Sequence, residues 1–240
     1  PSKDIAFDLS ELDKESENLL RKIDSLVKKY DSYKDSGNER IGEVPINWDI
    51  KKNKYFTQPH NNKSEKGEEE LLSVSEHQGV IPRSNIREKE EHLSRSESLA
   101  GYKKVKKGEL VSNIMLAWKR GLGVSKYDGI VSPAYSVFSF LNSEPKYFHY
   151  LFRTDEYISE FKRNSTGVIE SRLRLYDDEF GAIKSHFPPQ SEQKKIFEYL
   201  DEKTQLIDRA VSIEEKRIEL LKEYKKSLIH EVATGKKKVI

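Results

Sequence analysis

Several residue types in this sequence could carry chemistry, and most fail on spacing. The 240 residues contain no cysteine, which excludes a disulfide framework, thiolate metal sites and cysteine nucleophiles. His60, His77, His92, His149, His186 and His230 are scattered without metal-ligand spacing. Ser132-Pro133-Ala134-Tyr135 comes near the Asp/Asn/Ser-Pro-Pro-aromatic motif of adenine methyltransferases but lacks the second proline. Gly121-Leu122-Gly123 is too short for a Gly-rich cofactor loop. Glu88-Lys89-Glu90-Glu91 superficially offers the clustered carboxylates and lysine of a nuclease, but reads as a charged helix face. No Gly-x-x-x-x-Gly-Lys-Ser/Thr sequence appears, so no nucleotide-driven motor is expected. These residues point away from an enzyme.

Binding chemistry is better represented. Lysine and arginine neutralise phosphates and release counterions, while a few polar or aromatic side chains on loops read base edges. Between Gly101 and Lys126 lie Lys103, Lys104, Lys106, Lys107, Lys119, Arg120 and Lys126 against Glu109 alone, a net +6. Tyr102, Trp118 and the Gly121-Leu122-Gly123 turn are interleaved with them. A second patch holds Lys162, Arg163, Asn164, Ser165, Thr166 and Gly167, followed by Arg172 and Arg174. Glycine beside small polar residues permits close approach to a sugar-phosphate backbone. Each feature has a plainer alternative. Lys103 to Lys107 also suit a solvated strand edge, Trp118 suits a core, and Arg172 and Arg174 suit ion pairs with Asp177, Asp178 or Glu179. The acidic run Glu68-Glu69-Glu70 argues against that loop lying on phosphate.

The elements that must position these residues form three blocks. Leu9, Leu12, Leu19, Ile23, Leu26 and Tyr30 recur at helical spacing, interrupted by Ser16, and predict an amphipathic helix that Asp35-Ser36-Gly37-Asn38 ends. Ser10 is a candidate cap. From Gly42 the pattern changes to short mixed elements. Strands are expected near 71–74, 109–114 and 134–140, where β-branched and aromatic residues gather. The charged stretch 63–70 reads as an exposed loop, and one helix is expected from Pro145 to about Arg163. After Pro188-Pro189, Ser191 is placed to cap a single long helix reaching about Val232, with Gly235 as its stop. That helix carries two adjacent apolar stripes. One is Leu206, Ala210, Ile213, Leu220 and Tyr224, and the other is Ile207, Val211, Ile218, Leu221 and Leu228.

The expected fold class is α+β: one globular α/β domain flanked by long N- and C-terminal helices that pair as an antiparallel coiled coil. The expected boundaries are a helix over 1–36, a globular domain over 37–190, a long helix over 191–235 and a basic tail over 236–240. Hydrophobic and charged residues each make up 35% of the sequence, a polar balance that suits an elongated molecule. The net charge of +2 means that any nucleic-acid face must come from charge distribution. No apolar run approaches the roughly 20 residues of a membrane span. The first residues lack the apolar core of a signal peptide, so a cytoplasmic location is expected.

Four strings in order carry a resemblance. Tyr30-Asp31-Ser32-Tyr33-Lys34-Asp35-Ser36-Gly37 leads into Ile41-Gly42-Glu43-Val44-Pro45, with Trp48 close behind. Gly129-Ile130-Val131-Ser132-Pro133-Ala134-Tyr135 follows. Pro188-Pro189-Gln190-Ser191-Glu192-Gln193-Lys194-Lys195-Ile196 and Tyr199-Leu200-Asp201-Glu202-Lys203-Thr204 close the set. Over roughly residues 30 to 235 the sequence resembles one half of the specificity subunit of a Type I restriction–modification system. The resemblance implies a target recognition domain that reads half of a split double-stranded DNA sequence, and no catalysis by this chain. It also implies docking to methyltransferase subunits, which bind S-adenosylmethionine and methylate adenine, and restriction subunits can join. The chain itself is expected to hold no cofactor. Such subunits usually carry two recognition domains, and this sequence has one, with about 29 residues of helix-forming sequence ahead of the first string. Either a truncated half or a natural half that homodimerises fits. The stripes at Leu19, Ile23 and Leu26 and at Ile207, Ile218, Leu221 and Leu228 are the candidate helix interfaces, serving a homodimer seam or a methyltransferase dock. A different class of reading is a decoy that docks methyltransferase subunits without reading DNA.

Overall fold

A computed structural model describes residues 11–18, 29–39, 41–85 and 98–239. Two compact units emerge: Tyr30–Phe197, and Pro1–Lys29 with Glu198–Ile240.

The Tyr30–Phe197 unit is built around a four-stranded antiparallel sheet. Its strand order is β4 (Thr57–His60), β11 (Tyr135–Phe140), β8 (Leu110–Asn113), β9 (Leu122–Val124). Successive side chains on a strand point to opposite faces, and here both faces are buried. Leu110 and Phe138, cross-strand partners, enter an aromatic core with Phe56, Phe148, Phe152, Tyr157, Phe161 and Phe180. Their neighbours Val111 and Val137, also partners, enter a smaller aliphatic core with Leu72, Val80, Val105 and Val131. This is why adjacent residues on both strands, Leu110-Val111 and Val137-Phe138, are apolar. The aromatic side is closed by helices α2 (Pro145–Leu151), α3 (Asp155–Asn164) and α4 (Asp177–Ala182). The aliphatic side is closed by the hairpin β5 (Leu72–Ser75)–β6 (Gly79–Pro82) and the pair β7 (Lys103–Val105)–β10 (Gly129–Val131). Pro59 lies on β4, an edge strand, where a missing N–H is tolerated.

Two further pairs complete the unit. β1 (Tyr33–Asp35) pairs with β2 (Glu43–Pro45), and β3 (Asp49–Lys52) pairs with β12 (Lys184–Phe187). The opening string of the resemblance is therefore a hairpin, turned through Gly42 at φ 65° and seated by Val44, 1% exposed. The expected N-terminal helix does not reach Asp35. Tyr30 is already non-helical, packs edge-on against Trp48 and donates its hydroxyl hydrogen bond to Glu192. Burial and that carboxylate push its pKa up to about 12.

The expected helix over 145–163 is two helices. Phe152 caps α2, and Thr154 precedes the acidic first turn of α3, Asp155 and Glu156. Between them Arg153 turns inward. Its guanidinium donates to the carbonyls of Arg120 (2.9 Å), Leu122 (2.7 Å) and Glu76 (2.5 Å). Burial, and then Arg120, lower its pKa from the usual arginine value. The stretch 63–70 is mostly exposed, but Ser64 is buried, accepting from the Gly67 N–H and donating to Glu69.

The long helix α5 runs Gln190–Ala233, one residue earlier than Ser191. At 1.5 Å per residue its 44 residues span about 66 Å. Gly235, at φ 71°, follows its end as expected. Its first turns belong to the domain. Gln193 is wholly buried, accepts from the Glu144 N–H and donates to the Pro188 carbonyl, each at 2.8 Å.

In the other unit, residues 11–18 are helical (α1) and pack through Leu12 on Leu206, Ala210 and Ile213. Arg217 meets Asp13 at 2.7 Å, and Arg209 pairs with Glu15, the order of an antiparallel pair. Leu206, Ala210 and Ile213 of the first stripe of α5 thus lie against α1. The second remains open: Ile207, Val211, Ile218, Leu221 and Leu228 are 39–52% exposed. Leu19, Ile23 and Leu26 lie outside the described residues, as do Ser10 and Glu88 to Glu91. No helix among the described residues is long and apolar enough to cross a membrane.

Candidate nucleic-acid interface

The sequence-predicted cations divide into two groups on different elements. Lys103 and Lys104 lie on β7, which is not a free edge. β10 pairs with one side, and on the other Lys63 bridges to Lys103 and the Lys104 N–H donates to Asn62. The Lys103 ammonium donates to the Tyr135 carbonyl at 2.7 Å, and Lys104 meets Glu69 at 3.4 Å. Lys106 and Lys107 give backbone N–H groups to Glu109 and Asp128 and keep exposed side chains. Glu109 also meets His60 at 2.9 Å, so the one acid of the patch is tied into structure. Lys126 is exposed beside this turn. Glu69 and Asp128 offset charge that a count along the sequence assigns to lysines alone.

The second group assembles around the Ala117–Lys119 turn. Trp118 is 8% exposed, belongs to the aromatic core and donates its indole N–H to the Met115 carbonyl at 3.0 Å. The expectation of a base-stacking indole gives way to a packing role, since so little of the ring is open. The Lys119 and Lys162 ammoniums lie 4.8 and 5.2 Å from its ring centre, at cation–π range. This indole is thus a platform on which patches separated by about 40 residues of sequence meet. Arg120 adopts φ 62° and pairs with Asp155, while its backbone carbonyl is held by Arg153. Its charge is partly committed within the fold.

From α3 the chain enters a loop that folds back on itself. Arg163 meets Glu160 at 2.7 Å, and Asn164 donates to the Glu160 carbonyl at 2.8 Å. Ser165 Oγ donates to the Phe161 carbonyl, also at 2.7 Å. Thr166 and Arg174 then exchange backbone hydrogen bonds, both 2.9 Å, closing the loop at a neck. Beyond it Leu175 is buried and donates its N–H to Ile114 at 2.9 Å. Arg172 is exposed, whereas Arg174 turns inward to the carbonyls of Ser171 and Leu173. Among the described residues neither arginine pairs with Asp177, Asp178 or Glu179. Asp177 instead accepts from Ser136. Glu170 pairs with Lys162, and that hydrogen bond, with Lys119 beside it, holds its carboxyl below the usual carboxylate range.

Sequence reasoning missed the loop's apolar tip. Val168 is 99% exposed and Ile169 54% exposed. The available signal was an aliphatic pair directly after a glycine, inside a polar and basic stretch.

No protein-family model and no curated protein sequence matches the chain. Solved structures do. The HsdS subunit from Thermoanaerobacter tengcongensis aligns over 94% of this chain and 50% of its own, at 12% identity and TM-score 0.51. A chain from a structure concerned with complex assembly and conformational transition of the type I R-M system aligns over 96% of this chain and 54% of its own, at 12% identity and TM-score 0.53. The chain spans about half the length of these structures. Over nearly all its residues it therefore has the fold of HsdS, the specificity subunit of type I restriction–modification systems, at about half that subunit's length.

Proposed function

We propose that this chain is a DNA-reading specificity subunit, or half of one, that directs partner adenine methyltransferase subunits to a split target. The observation that carries the reading is the HsdS fold over nearly the whole chain. The exposed cations Lys119, Lys162, Arg163 and Arg172, gathered on one turn, one helix end and one closed loop, suit contact with phosphates. On this reading the chain is non-catalytic and holds no cofactor. S-adenosylmethionine and the methyl transfer belong to the methyltransferase subunit, and restriction subunits can join. The decisive experiment is an adenine methylation map of the source cells with and without the gene. Loss of one split motif supports the reading, and an unchanged map in cells whose methyltransferase is active refutes it.

Two copies related by a two-fold axis would supply two recognition domains and read an interrupted palindrome. The open stripe of Ile207, Ile218, Leu221 and Leu228 favours a helix-mediated contact, either with a second copy or with the methyltransferase. The same stripe is what supports a second reading, a decoy that docks methyltransferase subunits without reading DNA. Alanine at Lys119, Lys162, Arg163 and Arg172 separates the two. For a DNA reader the slope of log K against log salt falls by about 0.9 for each phosphate that is no longer neutralised. For a decoy, activity is untouched. Alanine at Lys103, Lys104, Lys106 and Lys107 tests the β7 group in the same way.

A further inference from the structure

The loop between Thr166 and Arg174 is closed at a hydrogen-bonded neck, turns through a 3-10 segment at Glu170–Arg172 and carries an apolar tip that folding does not account for. Its neck is fixed by the two Thr166–Arg174 backbone hydrogen bonds. Inside, the Arg172 N–H donates to Ile169 at 2.8 Å and the Arg174 guanidinium to Leu173 at 2.8 Å. Gly167 sits at φ 151°, and a Cβ there would lie 2.6 Å from the Arg172 carbonyl oxygen, so the two arms touch across the loop. Such a loop holds its tip in one place. What it holds out is Val168, almost wholly exposed, with Ile169 beside it. An aliphatic residue that buries nothing contributes nothing to the core. Ordering it outward is useful only if something else covers it.

The surroundings say what the cover is. Lys162 pairs with Glu170 one residue beyond Ile169, Lys119 shares the Trp118 platform with Lys162, and Arg172 is exposed on the returning arm. An apolar point set among cations complements a polyanion that carries apolar groups between its charged rails. The DNA major groove is such a surface. It is about 12 Å wide, wide enough to admit an inserted protein element, and displays the thymine 5-methyl. The minor groove, about 6 Å wide, shows no methyl.

Resting on the DNA-reading function proposed above, we infer that Val168, seconded by Ile169, is a specificity-determining contact to a thymine 5-methyl group in the major groove. The cations flanking the loop fix its depth on the backbone, and the rigid neck fixes which base pair the tip meets.

The test is selection by the full-length chain, at low salt, from a randomised duplex pool prepared with thymine or with uracil. Uracil preserves pairing and removes only the methyl. The wild-type chain should select a motif in which one thymine position is favoured about fourfold over uracil. That factor corresponds to about 0.8 kcal/mol for one buried methyl-sized group, at 1.4 kcal/mol per tenfold. V168S, and V168S combined with I169S, should keep the rest of the motif and lose the distinction at that position. Because Val168 is almost fully exposed, V168S should melt at the wild-type temperature. A wild-type chain that selects a motif but treats thymine and uracil alike overturns the inference and leaves the proposed function standing. So does a V168S chain that retains the thymine preference. Unstacking at the site, read with 2-aminopurine, together with indifference to uracil would assign the tip as a wedge and likewise overturn it. A wild-type chain that selects no motif overturns both this inference and the DNA-reading function.

Discussion

Gln193 joins the start of α5 to the rest of the Tyr30–Phe197 unit, and its removal should be costly in a calculable way. The side chain is wholly buried and makes two hydrogen bonds of 2.8 Å, accepting from the Glu144 N–H and donating to the Pro188 carbonyl. Leucine at 193 has similar bulk and fills the same space, but offers neither a donor nor an acceptor. Two backbone groups are then left buried without those partners, at about 1–3 kcal/mol each. The added apolar burial offsets about 1 kcal/mol. The expected loss for Gln193→Leu is therefore about 3 kcal/mol. Trp48 and Trp118 both lie within Tyr30–Phe197, so tryptophan emission during urea unfolding follows the right unit. With a slope of about 2 kcal/mol/M in urea, the midpoint should fall by about 1.5 M. A shift under about 0.5 M would refute the argument that this glutamine satisfies both backbone groups.

Three other outcomes follow from the packing. Gly129→Ala puts a Cβ 2.3 Å from the Glu70 carbonyl oxygen and 2.8 Å from Leu72 Cγ. Backbone must move, and a loss of about 1–3 kcal/mol is expected in the same urea assay. His186 is held by the Tyr157 hydroxyl at 2.9 Å, and burial lowers its pKa below the usual histidine value. The unfolded chain therefore binds that proton more readily, so stability should drop as pH falls below about 6.5. His186→Asn should flatten the difference between urea midpoints at pH 7.5 and 5.5. Ile218→Asp with Leu221→Asp changes side chains 51% and 45% exposed, so it should leave the unfolding of the Tyr30–Phe197 unit unchanged. On the docking role proposed for the stripe, sedimentation should show loss of self-association or of methyltransferase binding, and a variant that keeps both refutes that role.

The legible parts of the fold were those where apolar, aromatic and β-branched residues gather. The strands expected near 71–74, 109–114 and 134–140 correspond to Leu72–Ser75, Leu110–Asn113 and Tyr135–Phe140, because each places side chains into a core. The long C-terminal helix was legible from its two stripes and from Gly235. Tyr33–Asp35 was not, since a three-residue, fully exposed strand carries no periodicity and is held by its pairing with β2. The break between α2 and α3 was hidden because apolar spacing continues across it. What interrupts the helix is Arg153, whose three carbonyl partners lie far away in sequence.

The candidate interface was legible as basic composition but not as geometry. The strings that carried the family resemblance acquire physical reasons: Gln193 as a buried double hydrogen bond, Gly129 as a close backbone approach. Cations counted together between Gly101 and Lys126 belong to two elements, and Lys162 joins Lys119 only because both sit over Trp118. Val168 escaped notice because an aliphatic residue in sequence is ordinarily taken for core.

The neck at Thr166 and Arg174 also bears on how such a surface evolves. The backbone bonds that close it do not depend on the side chains at the tip, and the anchors below it, Leu175 and Ser165, lie outside the loop. Mutations at fully exposed positions usually change stability by no more than about 0.5 kcal/mol. Residue 168 can therefore vary with almost no penalty in folding, while Gly167 and the neck stay fixed. Selection on what the loop touches is in this way separated from selection on whether the domain folds, and a new preference is reachable by single substitutions without an unstable intermediate.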